Sequence, residues 1–268
     1  MPKLGSIKHY RQSGTQKAPE NLPFGEIAIA KDGTLFAGDE QNKPQQQYAR
    51  ENLLDNSDFI RPVNQRGTSG TISALGYFLD RWKLISGTVQ ITAAGIILNG
   101  TIAQILERAI GASFTTSASA GTTSYNDATR TFTLSATGQT ITWAKLEKGS
   151  TATPYVSKGY GAELANCKYY FRYFPANAMT GVAIDKSFAT MYLNFCDEMR
   201  TVPTIAYPGT NRLSNGVTDY EIGNPAHTLF QHTRFQYVVK MYCATQNMIP
   251  KEPLWLYGDA GIWVSADL

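Results

Sequence analysis

The stretch ATRTFTLSAT, residues 128–137, places Phe132, Leu134 and Ala136 in alternation with Thr131, Thr133 and Ser135. A period of two sends successive side chains to opposite faces, so this is a strand with one buried and one wetted face. Its backbone groups need neighbours, and the surrounding sequence offers them. GYFLDRWKLIS, TVQITAAGIILNG and QTITWAKLE are further strand candidates, and SASAGTTSYNDATR supplies turn chemistry between them. Short strands with Gly-rich turns and no βαβ rhythm predict an antiparallel jelly-roll sandwich over residues 51–157. One stretch is ambiguous. TIAQILERAIG has Ile102, Ile105, Leu106 and Ala109 at helical spacing with Gly111 as a C-cap, yet TIAQIL serves equally well as a strand. The most apolar run, ITAAGIILNGTIA, is interrupted by Gly95 and Gly100 and reads as a buried strand or as strand–turn–strand.

The flanks differ in character. In residues 1–50, PFGEIAIAKDGTLFAGD reads as two short runs around Asp32-Gly33, a dipeptide suited to a tight hairpin turn. A lone hairpin buries too little to stand by itself, so it must pack on the rest of the chain or on copies of itself, the latter making residues 1–50 an attachment or trimerisation module. DEQNKPQQQYAREN reads as a linker or an exposed helix turn. In residues 158–268, GAELANCK favours a helix and Tyr169 to Phe174 a strand. FATMYLNFC, TVPTIAY, TRFQYVVKMYCA and IWVSADL are strand candidates between Pro, Gly and Asn turns, which predicts a second, C-terminal β-sandwich. The whole is therefore expected to be mainly β.

Composition narrows the function classes. The chain has 268 residues, of which 43% are hydrophobic and only 17% charged, so a packed core is expected and global disorder is not. The formal net charge of +3, without any Lys/Arg cluster, predicts no nucleic-acid partner. The N-terminus MPKLGSIKHYRQSG lacks an apolar run, and no segment approaches about 18 apolar residues, so neither a signal peptide nor membrane insertion is expected. The three cysteines, Cys167, Cys196 and Cys243, are read as buried or half-buried thiols in a reducing compartment.

Catalytic signatures are scarce. No nucleophile elbow, zinc-protease helix, Walker loop or dinucleotide fingerprint occurs, so no cofactor, metal site or catalytic residue is assigned. His227 and His232 lie five apart and are read as core or exposed residues rather than ligands. Asp80, Glu107, Glu147, Asp197 and Glu198 could furnish a glycosidase pair, but no spacing selects one. Within WAKLEKGSTATPY, Lys145 and Glu147 are two apart. Ile141 and Trp143 occupy one phase of the pleat while Ala144 and Leu146 occupy the other. That predicts a strand buried on both faces or a bulge near 143–144. Gly149 and Pro154 then end the strand, so Glu147 reads as a strand-end charge at a domain boundary. Fifteen tyrosines and four tryptophans suggest stacking on sugars or partner proteins. Trp82 and Trp143 are assigned to the core. Trp255 and Tyr257, two apart beside turns, form with Tyr220 and Arg212 the candidate glycan-contact set.

Several stretches together resemble tail-fibre and baseplate-associated proteins of tailed bacteriophages and prophages. They are Asn52 to Asn56 (NLLDN), Pro62 to Gly67 (PVNQRG), Asp80 to Trp82 (DRW), Lys145 to Pro154 and Glu163 to Tyr170. EMRTVPTIAY and the final SADL are similar to later family segments, and LPFGEIAIAKDGTLFAGD to short phage hairpin modules. The resemblance implies a virion protein assembled in the host bacterial cytoplasm and forming a homotrimer. It further implies a carbohydrate-binding-like jelly roll, an N-terminal contact with other tail or baseplate proteins, and a distal domain that meets a host cell-surface glycan. It transfers no catalytic residues. The expected function is noncovalent glycan binding during adsorption, with a polysaccharide-degrading tail enzyme or a purely structural adaptor as alternatives.

Overall fold

The computed structural model describes residues 9–11, 21–24, 26–29, 35–46, 49–111, 113–195, 197–207, 211–234, 236–243, 247–258 and 261–268. The chain is mainly β, organised in several antiparallel sheets.

Strands β1 (His9–Arg11), β2 (Ile27–Ile29), β3 (Leu35–Gly38) and β4 (Pro44–Gln46) form one sheet in sequence order. Ile29 pairs with Leu35 and Ile27 with Ala37, so β2 and β3 are antiparallel neighbours. The Asp32-Gly33 turn expected between them lies outside the described residues. The stretch expected to be a linker or helix turn instead folds back as β4. Asp39 Oδ1 accepts the N–H groups of Gln41 at 3.0 Å and Lys43 at 2.8 Å, and Asn42 supplies the positive φ of 59° that the turn needs. The edge position tolerates Pro44. Among the described residues, Leu22, Ala28 and Phe36 form the buried apolar cluster of this module.

The central region carries β5 (Thr71–Ile72), β6 (Gly76–Leu79), β7 (Trp82–Thr92) and β8 (Gly95–Ile105), then β9 (Phe114–Ala118), β10 (Thr122–Asn126), β11 (Thr131–Ile141) and β12 (Ala144–Lys148). The larger sheet runs β10-β11-β8-β7-β5, with β6 also paired to β7, and the smaller is β12-β9. One core serves both sheets. Trp82, fully buried, meets Phe59 edge-on at 5.1 Å and Phe132 at 6.0 Å, and Leu146 of the smaller sheet joins the same cluster. The ambiguous TIAQIL is strand, with Ile102 opposite both Leu84 and Leu134. The phase break after Ile141 has a simple cause: the chain leaves the larger sheet at Ile141 and enters the smaller one at Ala144. Ala144 to Glu147 are then buried on both faces. Trp143, expected in the core, is half-buried and stacks on Tyr155 at 5.0 Å.

Residues 149–159 contain no helix or strand. They lead to α1 (Tyr160–Lys168) and β13 (Phe171–Phe174), as the sequence predicts. A 3-10 turn at Ala176–Ala178 follows. Next come β14 (Thr180–Ala183), β15 (Phe188–Asn194), β16 (Thr204–Ala206), β17 (Asn211–Ser214), β18 (Asp219–His232), β19 (Gln236–Cys243), β20 (Pro253–Gly258) and β21 (Ile262–Ser265). The strand content matches the sequence reading, but the arrangement differs from a second sandwich. Six strands close as the barrel β14-β15-β19-β18-β17-β20, beside a sheet β13-β21-β16. Closure removes the edges that a sandwich of such short strands would leave unpaired. Met191, Met241, Leu213 and Leu256 fill the interior.

Candidate functional site

The motif stretches converge on a polar seam between the central region and the C-terminal one. Asn56, buried at φ 53°, holds four segments together. Its Nδ2 donates to the carbonyls of Val63 and Asp80, both at 2.8 Å, and its Oδ1 accepts Val63 N–H at 2.6 Å. Its own N–H donates to Glu163 Oε2 at 2.6 Å, and its carbonyl accepts Trp82 Nε1–H at 2.8 Å. Arg66 lies over the rings of Phe171 at 3.9 Å and Tyr77 at 4.6 Å. It faces Asp80 at 3.5 Å and Asp267 at 2.5 Å. Gln65 donates its backbone N–H and its amide to Asp80 Oδ2. Tyr77 and Lys83 both donate to the Leu268 carbonyl.

Glu147 is spent in the same way. Its Oε1 accepts Thr153 N–H at 2.7 Å, and its Oε2 takes Lys145 Nζ at 3.1 Å together with the Thr153 hydroxyl. Lys145 also donates to the Pro154 carbonyl at 2.9 Å. Both side chains are fully buried, so the strand-end charge of the sequence reading is an internal ion pair. The other candidate carboxylates each sit beside a base: Glu107 with Arg200, Asp197 with Arg172, and Glu198 with Arg234. The side chains of His9, His227 and His232, and Cys196, lie outside the described residues. Cys167 and Cys243 are buried, and burial raises the Cys167 thiol.

The candidate contact set maps to the barrel wall. Arg212 pairs with Tyr257 and Ser214 with Trp255, while Leu213 pairs with Leu256 and with Tyr220. Leu213 and Leu256 are fully buried, so alternation turns Arg212, Trp255 and Tyr257 outward. Tyr257 is 56% exposed, Arg212 is exposed and Trp255 half-buried. The Trp255 ring packs over Gly216, where a Cβ would lie 2.9 Å from it. Tyr220 does not join them. As the partner of Leu213 it points inward; its hydroxyl accepts Asn215 Nδ2–H at 3.2 Å, and burial pushes it up to about 12. Sequence reasoning missed Tyr192, which is exposed and shares a cross-strand row with Thr180 and Trp255. Its signal was present in the alternation of FATMYLN, where Ala189, Met191 and Leu193 are the buried set.

A second concave surface lies on the larger sheet of the central region. It has a volume of about 580 Å³ and is lined by Asn99, Thr101, Thr122, Ser135, Thr137 and Gln139 among others. These are hydroxyl and amide groups without a formal charge. No protein-family model, curated protein or solved structure matches the chain.

Proposed function

We propose that the protein is a phage tail structural protein, a tail fibre or baseplate tip, that binds a host cell-surface glycan noncovalently during adsorption. The observation that carries this reading is the outward set on the barrel wall: exposed Tyr257 beside Arg212 across the strand pair, with Trp255 two residues away. Aromatic faces stack on the C–H faces of pyranose rings, and an arginine fork donates to ring hydroxyls. The neutral hydroxyl- and amide-lined groove on the central sheet suits the same class of ligand. The carboxylates considered as acid or base are held in ion pairs, which favours binding over bond cleavage. The small N-terminal sheet is read as the contact with other tail proteins and with two further copies of the chain.

The test is a screen of the full chain against host wall polymers and lipopolysaccharides, paired with an assay for new reducing ends. Binding without cleavage is expected, and Y257A together with R212A should weaken it by about tenfold or more. Absence of binding to every host glycan, or an unaffected double variant, overturns the assignment of this face. New reducing ends favour the enzyme.

A further inference from the structure

A cavity of about 320 Å³ opens on the seam, and the motif stretches that build the seam also line it. Leu53, Leu106 and Ile110 give it an apolar side. Arg81, Arg108 and Lys148 bring three cations to it, against the carboxylates of Asp55 and Glu107. Those carboxylates are already engaged. Asp55 lies 3.3 Å from Arg81 Nε and 3.5 Å from Lys158 Nζ, and accepts Asn166 Nδ2–H at 3.1 Å. Glu107 lies 3.6 Å from Arg200 Nε. Arg108 and Lys148 are exposed, and among the described residues neither has an ion-pair partner.

Arg81 is fixed in place. Its guanidinium lies 3.5 Å above the Tyr170 ring, and Nη2 donates to the Ile105 carbonyl at 2.7 Å. Nη1 is buried and has no hydrogen-bond partner. A buried guanidinium N–H without an acceptor is costly, and Arg81 is one of the residues that line the cavity. The cavity thus combines an immobile guanidinium with one nitrogen left without an acceptor, two exposed cations without an ion-pair partner among the described residues, and an apolar wall. A planar carboxylate matches a guanidinium fork, and the C–H face of a sugar ring matches the wall.

We infer that this pocket binds a carboxylate-bearing sugar residue. That the carboxylate is carried by a sugar rests on the glycan-binding reading; that the pocket takes an organic carboxylate does not. The experiment titrates the full chain with three probes: a uronic-acid oligosaccharide, the same oligosaccharide with its carboxyls reduced to hydroxymethyl groups, and free glucuronate. Binding of the acidic oligosaccharide should exceed that of the reduced one by about tenfold, and should weaken as salt rises from about 0.05 to about 0.5 M. The exposed pair R108Q/K148Q should abolish that discrimination. Equal binding of acidic and reduced oligosaccharides overturns the pocket and leaves the glycan reading standing. Binding of glucuronate alone, lost in R108Q/K148Q, upholds the pocket and counts against the glycan reading. No binding of any carboxylate probe, or an unchanged R108Q/K148Q variant, overturns the inference.

Discussion

Asp80 reads in the sequence as one charge in Asp-Arg-Trp, yet it is wholly buried in the seam. Burial pushes its carboxyl from 3.8 up to about 6, although the Gln65 N–H groups and Arg66 favour the ionised form; Asp267, which shares Arg66, opposes it. The folded chain therefore holds this proton more tightly than the unfolded chain between about pH 4 and about pH 6. The stability Asp80 contributes when protonated is lost as pH rises through that window. Other carboxyls move the opposite way, Asp127 among them, because the Ile110 N–H holds it in the ionised form. The effect is accordingly read as a difference. The stability of the wild type relative to Asp80→Asn should improve by about 1 kcal/mol between pH 7 and pH 5. Urea unfolding of both proteins at each pH checks this, and a pH-independent difference would sink it. Lys145 and Glu147 show how far a sequence can go at this scale. Their spacing makes the pair legible. Their burial was not, because the residue that closes over them, Thr153, belongs to a small polar run that reads as a spacer.

At the scale of elements, alternation and turn chemistry recover most strands, and errors arise where a residue type has two uses. Gly100 is an example. In ITAAGIILNG a glycine signals a turn, but the β7–β8 turn falls at residues 93–94, and Gly100 lies inside β8 opposite Gly87. There the strands come so close that a Cβ on Gly100 would lie 2.0 Å from the Ser86 carbonyl oxygen, at φ +150°. Gly138 also has a positive φ, +66°, but nothing lies within 4 Å of an added Cβ. Gly100→Ala should cost about 3 kcal/mol, from overpacking added to backbone strain. Gly138→Ala should cost about 1 kcal/mol, from strain alone. Denaturant unfolding separates the two, and equal costs would refute close approach as the reason for Gly100. The closed barrel was illegible for a related reason. Strand-length runs announce strands, but which ends meet is set by pairings such as β14 with β20, whose members lie some seventy residues apart. The outward face was partly legible, since a two-residue spacing fixes that Trp255 and Tyr257 share a side. Tyr220 failed because its side depends on register with Leu213, which no local pattern carries.

Across the whole molecule, the central and C-terminal regions each own a core, and the Arg66–Asp80–Asp267 seam joins them. Among the described residues the N-terminal sheet has a three-residue cluster, and Phe24 and Ile29 are 68% and 42% exposed. Exposed apolar side chains on a short sheet suit a contact with another surface, and the proposed assembly is placed there. The natural cut comes before residue 49. Arg50 belongs to the central region: its N–H donates to Thr153 Oγ1 at 2.9 Å and its Nη1 to the Lys148 carbonyl at 3.2 Å. A chain lacking residues 1–48 keeps those bonds and both large cores, so its unfolding midpoint in urea should match that of the full chain. The full chain should sediment as a trimer of 29.5 kDa subunits, and the shortened one as a monomer. Glycan binding should then weaken by about a hundredfold or more on a multivalent surface, while single-site affinity for a soluble oligosaccharide stays the same. Sedimentation velocity together with both binding formats checks this. A shortened chain that is still trimeric would move the assembly contact into the barrel or the central region. A shortened chain that no longer folds would mean that the small sheet completes a core instead of building an assembly.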